Sequence, residues 1–469
     1  MTTAATLAEP PSLTGAPPFR LTLVRLASGR HRLLWSDHHI LLDGWSSGIL
    51  LEELISAYSR LQAGQPPFDD VPVRYRDYLG WLRQRPSGEA SAYWQAALSG
   101  FAGPTPLPVD TRVSLSVGSA TDFHEVELAL DPAAREALRT VAERRRTTVG
   151  SIFYAAWAAF LYGYAAQPLI TFGIAQSGRP AALGNVGGMV GMYMSTMPLA
   201  VHVDAGQSFA DLLGQVSEQG WQLMSVAGAG SLWDVYDWTG IPVSRSLFHS
   251  VVVVQNFGSA LADTSDLPLR AELVPARTAS GFPLTLAVDP ENGVLRLVGD
   301  QRCLGEATSR RLLEVFGELV SRVLDEPDTR ISDLPAPMVA TRPDQDPQPA
   351  REVDPPRGEG EVRVARVWCA VLGVDEVSRT VNLFDAGATS LAAARIHVGL
   401  CTEFGRDLPI TDMFRYPTVA SMAAVLTSGE PSDGGPRTEE WRTRMSRRRE
   451  VLRTQRMRPR RRDTEDTSR

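Results

Sequence analysis

The chain has 469 residues, 43% of them hydrophobic and 22% charged, enough for two or three domains with separate cores and against wholesale disorder. No apolar run reaches the ~18 residues of a membrane span, the first 20 residues lack a secretory pattern, and the isolated Cys303, Cys369 and Cys401 suit a reducing cytoplasm and give no metal site. The net charge is −7, every one of the 47 basic residues is Arg, and 13 of them face six acids between Arg437 and Arg469; one basic tail on an acidic body is not by default a nucleic-acid surface.

After a Pro-rich start the pattern predicts a strand over Phe19–Leu26 and a buried strand over Arg32–Ser36. Then comes His38-His39-Ile40-Leu41-Leu42-Asp43-Gly44-Trp45-Ser46. A helix follows over Ser46–Leu61, with Leu50, Leu51, Leu54, Ile55, Tyr58 and Leu61 at helical spacing and Ser46 or Ser47 as cap. On an extended strand neighbours point to opposite faces, so one imidazole can face a reaction while the other packs. Gly44 lets the backbone come close to a reacting group. A histidine in a strand is more often packed core than chemistry, and it is the whole string on a strand-to-helix turn that outweighs that reading.

A second helical segment spans Val73–Trp81, whose Tyr and Trp read as packing and groove-lining residues. From 120 to 335 strands and helices alternate: strand Phe123–Leu130, helix Pro132–Arg145, helix Gly150–Tyr164, strand Leu169–Ile174, the string Gln176–Pro180, and Val190–Leu199. Strands over Ser244–Asn256, Phe282–Val288 and Leu295–Val298 follow, with a helix over Ala307–Leu324. Pro335 to about Glu359 reads as a semi-extended linker. Residues 360–428 form a compact helical pattern: Val362–Leu372, then Asn382–Leu391 leading into Ala392–Phe404, Pro409–Phe414, and a last helix opened by Pro417-Thr418-Val419.

The string His-His-x-x-x-Asp-Gly with Trp45-Ser46 resembles the active-site motif of nonribosomal peptide synthetase condensation domains, relatives of chloramphenicol acetyltransferase. Tyr75-x-Asp77-Tyr78, the turn Ser177-Gly178-Arg179-Pro180, the strand Val190-Gly191…Ser195-Thr196 and Leu247-Phe248 resemble further elements of that family. Ser195 stands where the family commonly has Asn. The resemblance implies a two-lobed α/β (α+β) acetyltransferase-like fold, with residues 1–112 in the first lobe and 113–335 in the second. It implies that His39, beside His38, serves acyl transfer as general base or by holding the attacking amine. Asp43 is then structural, the Gly44 amide faces the site, and Trp45, Ser177, Arg179, Tyr193, Ser195 and Asn256 line the substrate channel.

Asp385-Ala386-Gly387-Ala388-Thr389-Ser390-Leu391 resembles the attachment string of peptidyl carrier proteins, small all-α four-helix bundles. Ala386 and Ala388 replace a Leu and a Gly. The resemblance implies a carrier over 360–428, after a linker at 336–359, with 4′-phosphopantetheine covalently on Ser390. A serine opening a helix is most often a cap, yet that helix end also suits a phosphodiester.

Together these imply amide formation between a carrier-bound acyl or peptidyl thioester and an amine. The implied partners are an upstream carrier, an adenylation enzyme in trans, a phosphopantetheinyl transferase and other synthetase subunits, with neither nucleic acid nor membrane. The arginine-rich stretch 429–469 reads as a solvated tail, with docking to another subunit as the minority reading. The family's motif aspartate is expected to pair with an arginine from an earlier segment, so the first lobe reads as incomplete and Asp43 as lacking that partner. A misassigned start, a complementing partner chain and a degenerate domain stay open as explanations. A non-catalytic carrier scaffold and an epimerisation-type relative are the alternative functions; the filling of the motif favours donors ending in a D-residue.

Overall fold

The computed structural model describes residues 19–427 apart from 28, 39, 69–73, 86–87, 111–122, 180–185, 227, 229, 244, 256–281, 338–353, 384, 385, 387, 389 and 411. The elements before the motif are β1 (Phe19–Ala27) and β2 (Arg30–Asp37), which pair antiparallel as a two-stranded ribbon. Leu21, Leu23, Leu26 and Leu33 of this ribbon are exposed. Three helices follow: α1 (Gly44–Gln62), α2 (Tyr75–Leu82) and α3 (Gly88–Ala97).

Among the described residues the second body is a six-stranded mixed sheet. Its strands are β3 (Phe123–Ala129), β4 (Leu169–Ser177), β5 (Met194–His202), β6 (Ser250–Val254), β7 (Leu284–Asp289) and β8 (Val294–Asp300), in the order β3-β8-β7-β6-β4-β5. β6 runs parallel to both β4 and β7, and the remaining pairs are antiparallel. Between and after the strands lie α4 (Pro132–Arg145), α5 (Val149–Ala165), α6 (Phe209–Val226), α7 (Leu232–Thr239) and α8 (Glu306–Asp325).

Local chemistry sets these helices. Asp131 caps α4 by accepting from Ala134 N at 2.7 Å with Pro132 at the first turn, and Thr148 caps α5 by accepting from Ser151 N at 3.0 Å. α5 is apolar nearly all round and sinks into the core, as such a helix must. There Trp157, Phe160 and Phe316 of α8 pack with ring centroids 5.3–5.5 Å apart, and Trp157 Nε1 donates to Ser250 Oγ at 3.1 Å. His124 of β3 meets the wholly buried Ser309 of α8 at 2.7 Å, and burial holds its imidazole below the usual pKa. That pair ties strand to helix.

The helices α9 (Gly358–Leu372), α10 (Ser390–Phe404), the short α11 (Asp412–Arg415) and α12 (Val419–Thr427) share a separate core around Trp368, Leu383, Ile396, Leu400 and Met422. Arg379 clasps their start, donating to Glu361 from Nε at 2.8 Å and from Nη2 at 2.7 Å, while its backbone N–H donates to Asp354 O at 2.8 Å.

The hydrogen bond from Arg379 holds the Glu361 carboxyl down at about 2. A depressed carboxylate stabilises the folded form above its unfolded pKa and loses that contribution as pH falls through the folded one. Stability of the helical unit should therefore drop between about pH 4.5 and pH 2. Thermal melts of Glu361→Gln should start lower at neutral pH and lose the pH dependence in that window; an unchanged acid limb would refute the assignment.

Candidate functional site

The motif sits where β2 ends and α1 begins. Asp43 is the N-cap of α1: its Oδ1 accepts from Ser46 N at 2.8 Å, and a carboxylate there also complements the helix dipole. Its Oδ2 accepts from Tyr193 N at 3.1 Å. Its side chain is only 1% exposed, and the cation that such a burial demands is Arg179, with Nη2 3.3 Å from Oδ1 and itself 7% exposed. The expectation that Asp43 lacks a partner is thus corrected: the Ser-Gly-Arg turn after β4 supplies the cation from 136 residues downstream.

Ser46 completes the joint. Its hydroxyl donates to Gly191 O at 2.7 Å and accepts from Gly191 N at 3.0 Å and from Arg179 Nη2 at 2.8 Å. Arg179 Nη1 donates to Met189 O at 2.8 Å and Trp45 Nε1 to Gly187 O at 3.0 Å. The loop before β5 is thereby pinned onto the first turn of α1. Gly191 faces the Tyr75 ring so closely that a Cβ would collide with it, and one on Gly178 would collide with the Tyr193 carbonyl.

An aromatic stack backs the pair. Tyr78 lies 4.5 Å from Tyr193 between ring centroids, Trp81 stacks on Tyr78 at 6.1 Å, and the Arg179 guanidinium covers Tyr193 at 4.1 Å. Tyr75 donates to Met192 O at 2.5 Å. Burial pushes the Tyr78 hydroxyl up to about 12, so it stays neutral at working pH. Tyr78 and Tyr193 are buried, and both act as packing around the pair.

Of the residues singled out by sequence, Asp43, Gly44, Trp45, Arg179 and Tyr193 come together. His38 follows β2; its Nδ1 accepts from Ile40 N at 3.2 Å and its carbonyl from Leu41 N at 2.9 Å, so a neutral ring keeps its proton on Nε2. Ser177 ends β4 and is exposed, as is Ser195, which pairs with Gln176 across β4–β5. His39 and Asn256 lie outside the described residues. Sequence offers Ser46 or Ser47 as the cap of this helix; Asp43 takes that place instead because the helix starts at Gly44, and the burial of Ser46 between two backbone groups and a guanidinium could not be seen without the fold.

Ser390 is the first residue of α10, whose first turn carries no acid, so the helix's positive end is unopposed. Ala388, Ala392 and Ala393 beside it are buried and small. Among the described side chains, Ser421 bonds the Thr418 hydroxyl at 2.8 Å, and Ser378 faces Thr380 at 3.4 Å. The surroundings fit a phosphodiester on Ser390.

Comparison with known proteins agrees. The Condensation domain family model matches residues 2–342 and the Phosphopantetheine attachment site model matches 362–426. Chondramide synthase from Chondromyces crocatus is 33% identical over 69% of this chain and 8% of its own length; bacitracin synthase 3 from Bacillus licheniformis is 33% identical over 44% and 3%. The chain thus spans less than a tenth of these relatives. Its fold is similar to the X-domain from teicoplanin biosynthesis (TM-score 0.59, 22% identity, 68% of this chain and 74% of that one). It is also similar to the first condensation domain of the CDA synthetase (0.51, 21%, 67% and 69%).

Removing Arg179 leaves a buried carboxylate unpaired. Arg179→Met should lower unfolding stability by about 3 kcal/mol in denaturant titration, whereas adding Asp43→Asn should recover part of that loss. A single variant as stable as the parent would refute the pairing.

Proposed function

Because the chain belongs to the condensation-domain family of nonribosomal peptide synthetases and continues into a phosphopantetheine attachment domain, we propose that it forms an amide between an acyl or peptidyl thioester and an amine. What carries this reading is the state of the motif carboxylate. Asp43 already accepts from Ser46 N, Tyr193 N and Arg179, so it is a structural anchor and the proton falls to a histidine. His38 is tied into its own turn, which leaves His39 as the residue that meets the amine. In the step the C–N bond forms, the thioester C–S bond breaks, and His39 takes the amine's proton for return to the leaving thiol. Alignment of two tethered reactants supplies much of the rate.

Ser390 is the proposed attachment residue. When bound, the phosphopantetheine group supplies a long thiol arm that holds substrate as a thioester. The chain's own contribution is the positive helix end at Ser390, with no acid in the first turn. The proposed partners are an upstream carrier as donor, a phosphopantetheinyl transferase, and an adenylating domain outside this sequence that loads the arm. No described helix is long and apolar enough to cross a membrane.

Incubation with a phosphopantetheinyl transferase and coenzyme A should add one arm to the chain by mass, and Ser390→Ala should add none. With loaded carriers, His39→Ala should cut amide formation by about 100-fold or more, the scale of general-base catalysis. Undiminished product from His39→Ala would overturn the catalytic role and leave a carrier scaffold.

A further inference from the structure

Alternate residues of β4, Ile170, Phe172 and Ile174, are buried in the core, and the next residue in that row is Gln176. Gln176 lies opposite Ser195 of β5. The ladder runs one step beyond the strands, where Gly178 N donates to Tyr193 O at 2.9 Å, so Tyr193 falls in the row of Ser195. An apolar row thus ends in three polar side chains. Gln176 Oε1 and the Tyr193 hydroxyl are both buried without a hydrogen-bond partner among the described residues, and Tyr193 as a whole is 2% exposed. Buried polar atoms are paired in the great majority of cases, so two orphans in one row imply a partner from outside the chain.

This row ends against the motif. Tyr193 N donates to Asp43 Oδ2 at 3.1 Å, and the Arg179 guanidinium covers the Tyr193 ring. Ser195 lies about 7 Å further along the chain, and its exposure leaves the end of the row reachable from outside. The two orphans differ in chemistry. An amide oxygen only accepts, whereas burial raises the Tyr193 pKa, so its hydroxyl keeps a proton to donate. An acceptor for N–H and a donor to C=O are what a secondary amide requires. Both reactants of the proposed step carry such groups, in the phosphopantetheine arm and in the backbone of a peptidyl donor.

We propose that Gln176 and Tyr193, reached past Ser195, form a subsite that reads the amides of a tethered reactant: Gln176 Oε1 accepts an N–H, and the Tyr193 hydroxyl donates to a carbonyl. This deepens the functional reading above and rests on the chain acting on an arm-borne acyl group. The Tyr193 ring still packs around the ion pair, and only its hydroxyl gains a further role. The subsite sets specificity, because an N–H that meets an otherwise unpaired acceptor is favoured over an isostere that lacks it. A purely structural Gln176 would discriminate nothing. Its buried oxygen would only cost stability, so replacing it with an apolar side chain of similar size leaves the fold no weaker.

Titration of the full chain with pantetheine and with N-acetylalanine N-methylamide tests the subsite, each beside analogues in which one amide N–H at a time is replaced by an ester oxygen. The parent should bind at least one amide probe about 10-fold more tightly than its ester isostere. Gln176→Leu should bind the two alike while its denaturation midpoint stays level or rises. Tyr193→Phe should weaken amide and ester by a similar factor, since both keep the carbonyl, and leave their ratio unchanged. A preference confined to pantetheine assigns the arm, and one confined to the peptide probe assigns the donor's backbone; either supports the subsite. Binding of neither probe, equal affinity for amide and ester, or a preference that survives Gln176→Leu would overturn it. The ratio is read without turnover, so amide formation from loaded carriers reports on the functional reading separately. Product without the preference sinks the subsite alone, and the preference without product sinks the catalytic reading alone.

Discussion

A carboxylate buried beneath the first turn of α1 constrains everything around it. Removing Asp43 from water costs several kcal/mol unless a cation and hydrogen bonds replace the solvent. Arg179 brings the cation, and Ser46 N and Tyr193 N bring the donors. Each of these lies on a different segment, so satisfying one side chain fixes three pieces of backbone: the helix start, the turn after β4 and the approach to β5. The close passages at Gly178 and Gly191 follow from the same demand. Side chains there would hold the segments too far apart for the bonds to form. The ion pair is thus a device for register between the motif and the sheet, and its net energy is less important than the geometry it enforces.

The contact between sheet body and helical unit is of the opposite kind. Each has its own core, with Trp157 and Phe316 buried in one and Trp368 and Leu383 in the other. What joins them among the described contacts is an exposed charge pair, a cation over an indole and one valine. An exposed pair of this kind is weak and salt-screened, unlike a large apolar seam.

Much of this was legible in the residues. The turn-and-helix context of the motif, the helix opened by Pro132, the apolar helix ending near Tyr164 and the helical unit with Ser390 at a helix start all followed from periodicity and turn chemistry. The partner of Asp43 was not, because Arg179 lies 136 residues away and only folding brings it near. Nor were α6 and α7 assigned. Phe209, Leu212, Leu213, Val216 and Leu223 do recur at helical spacing in α6, so there the signal was present in the residues. α7 is eight residues long and five of them are aromatic or β-branched, a composition that suits a strand as well. Its identity is set by the Ser231–Asp234 capping box and by packing, with Gln95 donating to its Trp238 carbonyl at 3.0 Å.

The chemistry of the site follows from which groups remain available once the structure has taken its share. Asp43 and Arg179 neutralise each other. Tyr78, pushed up to about 12, holds its proton throughout the working range, and burial raises Tyr75 and Tyr193 in the same direction. Histidine is the one residue type in the motif that ordinarily exchanges a proton near neutrality. On the proposed reading the aspartate's structural role and the histidine's chemical role are one arrangement: a carboxylate held by Ser46 N, Tyr193 N and Arg179 leaves the proton to an imidazole.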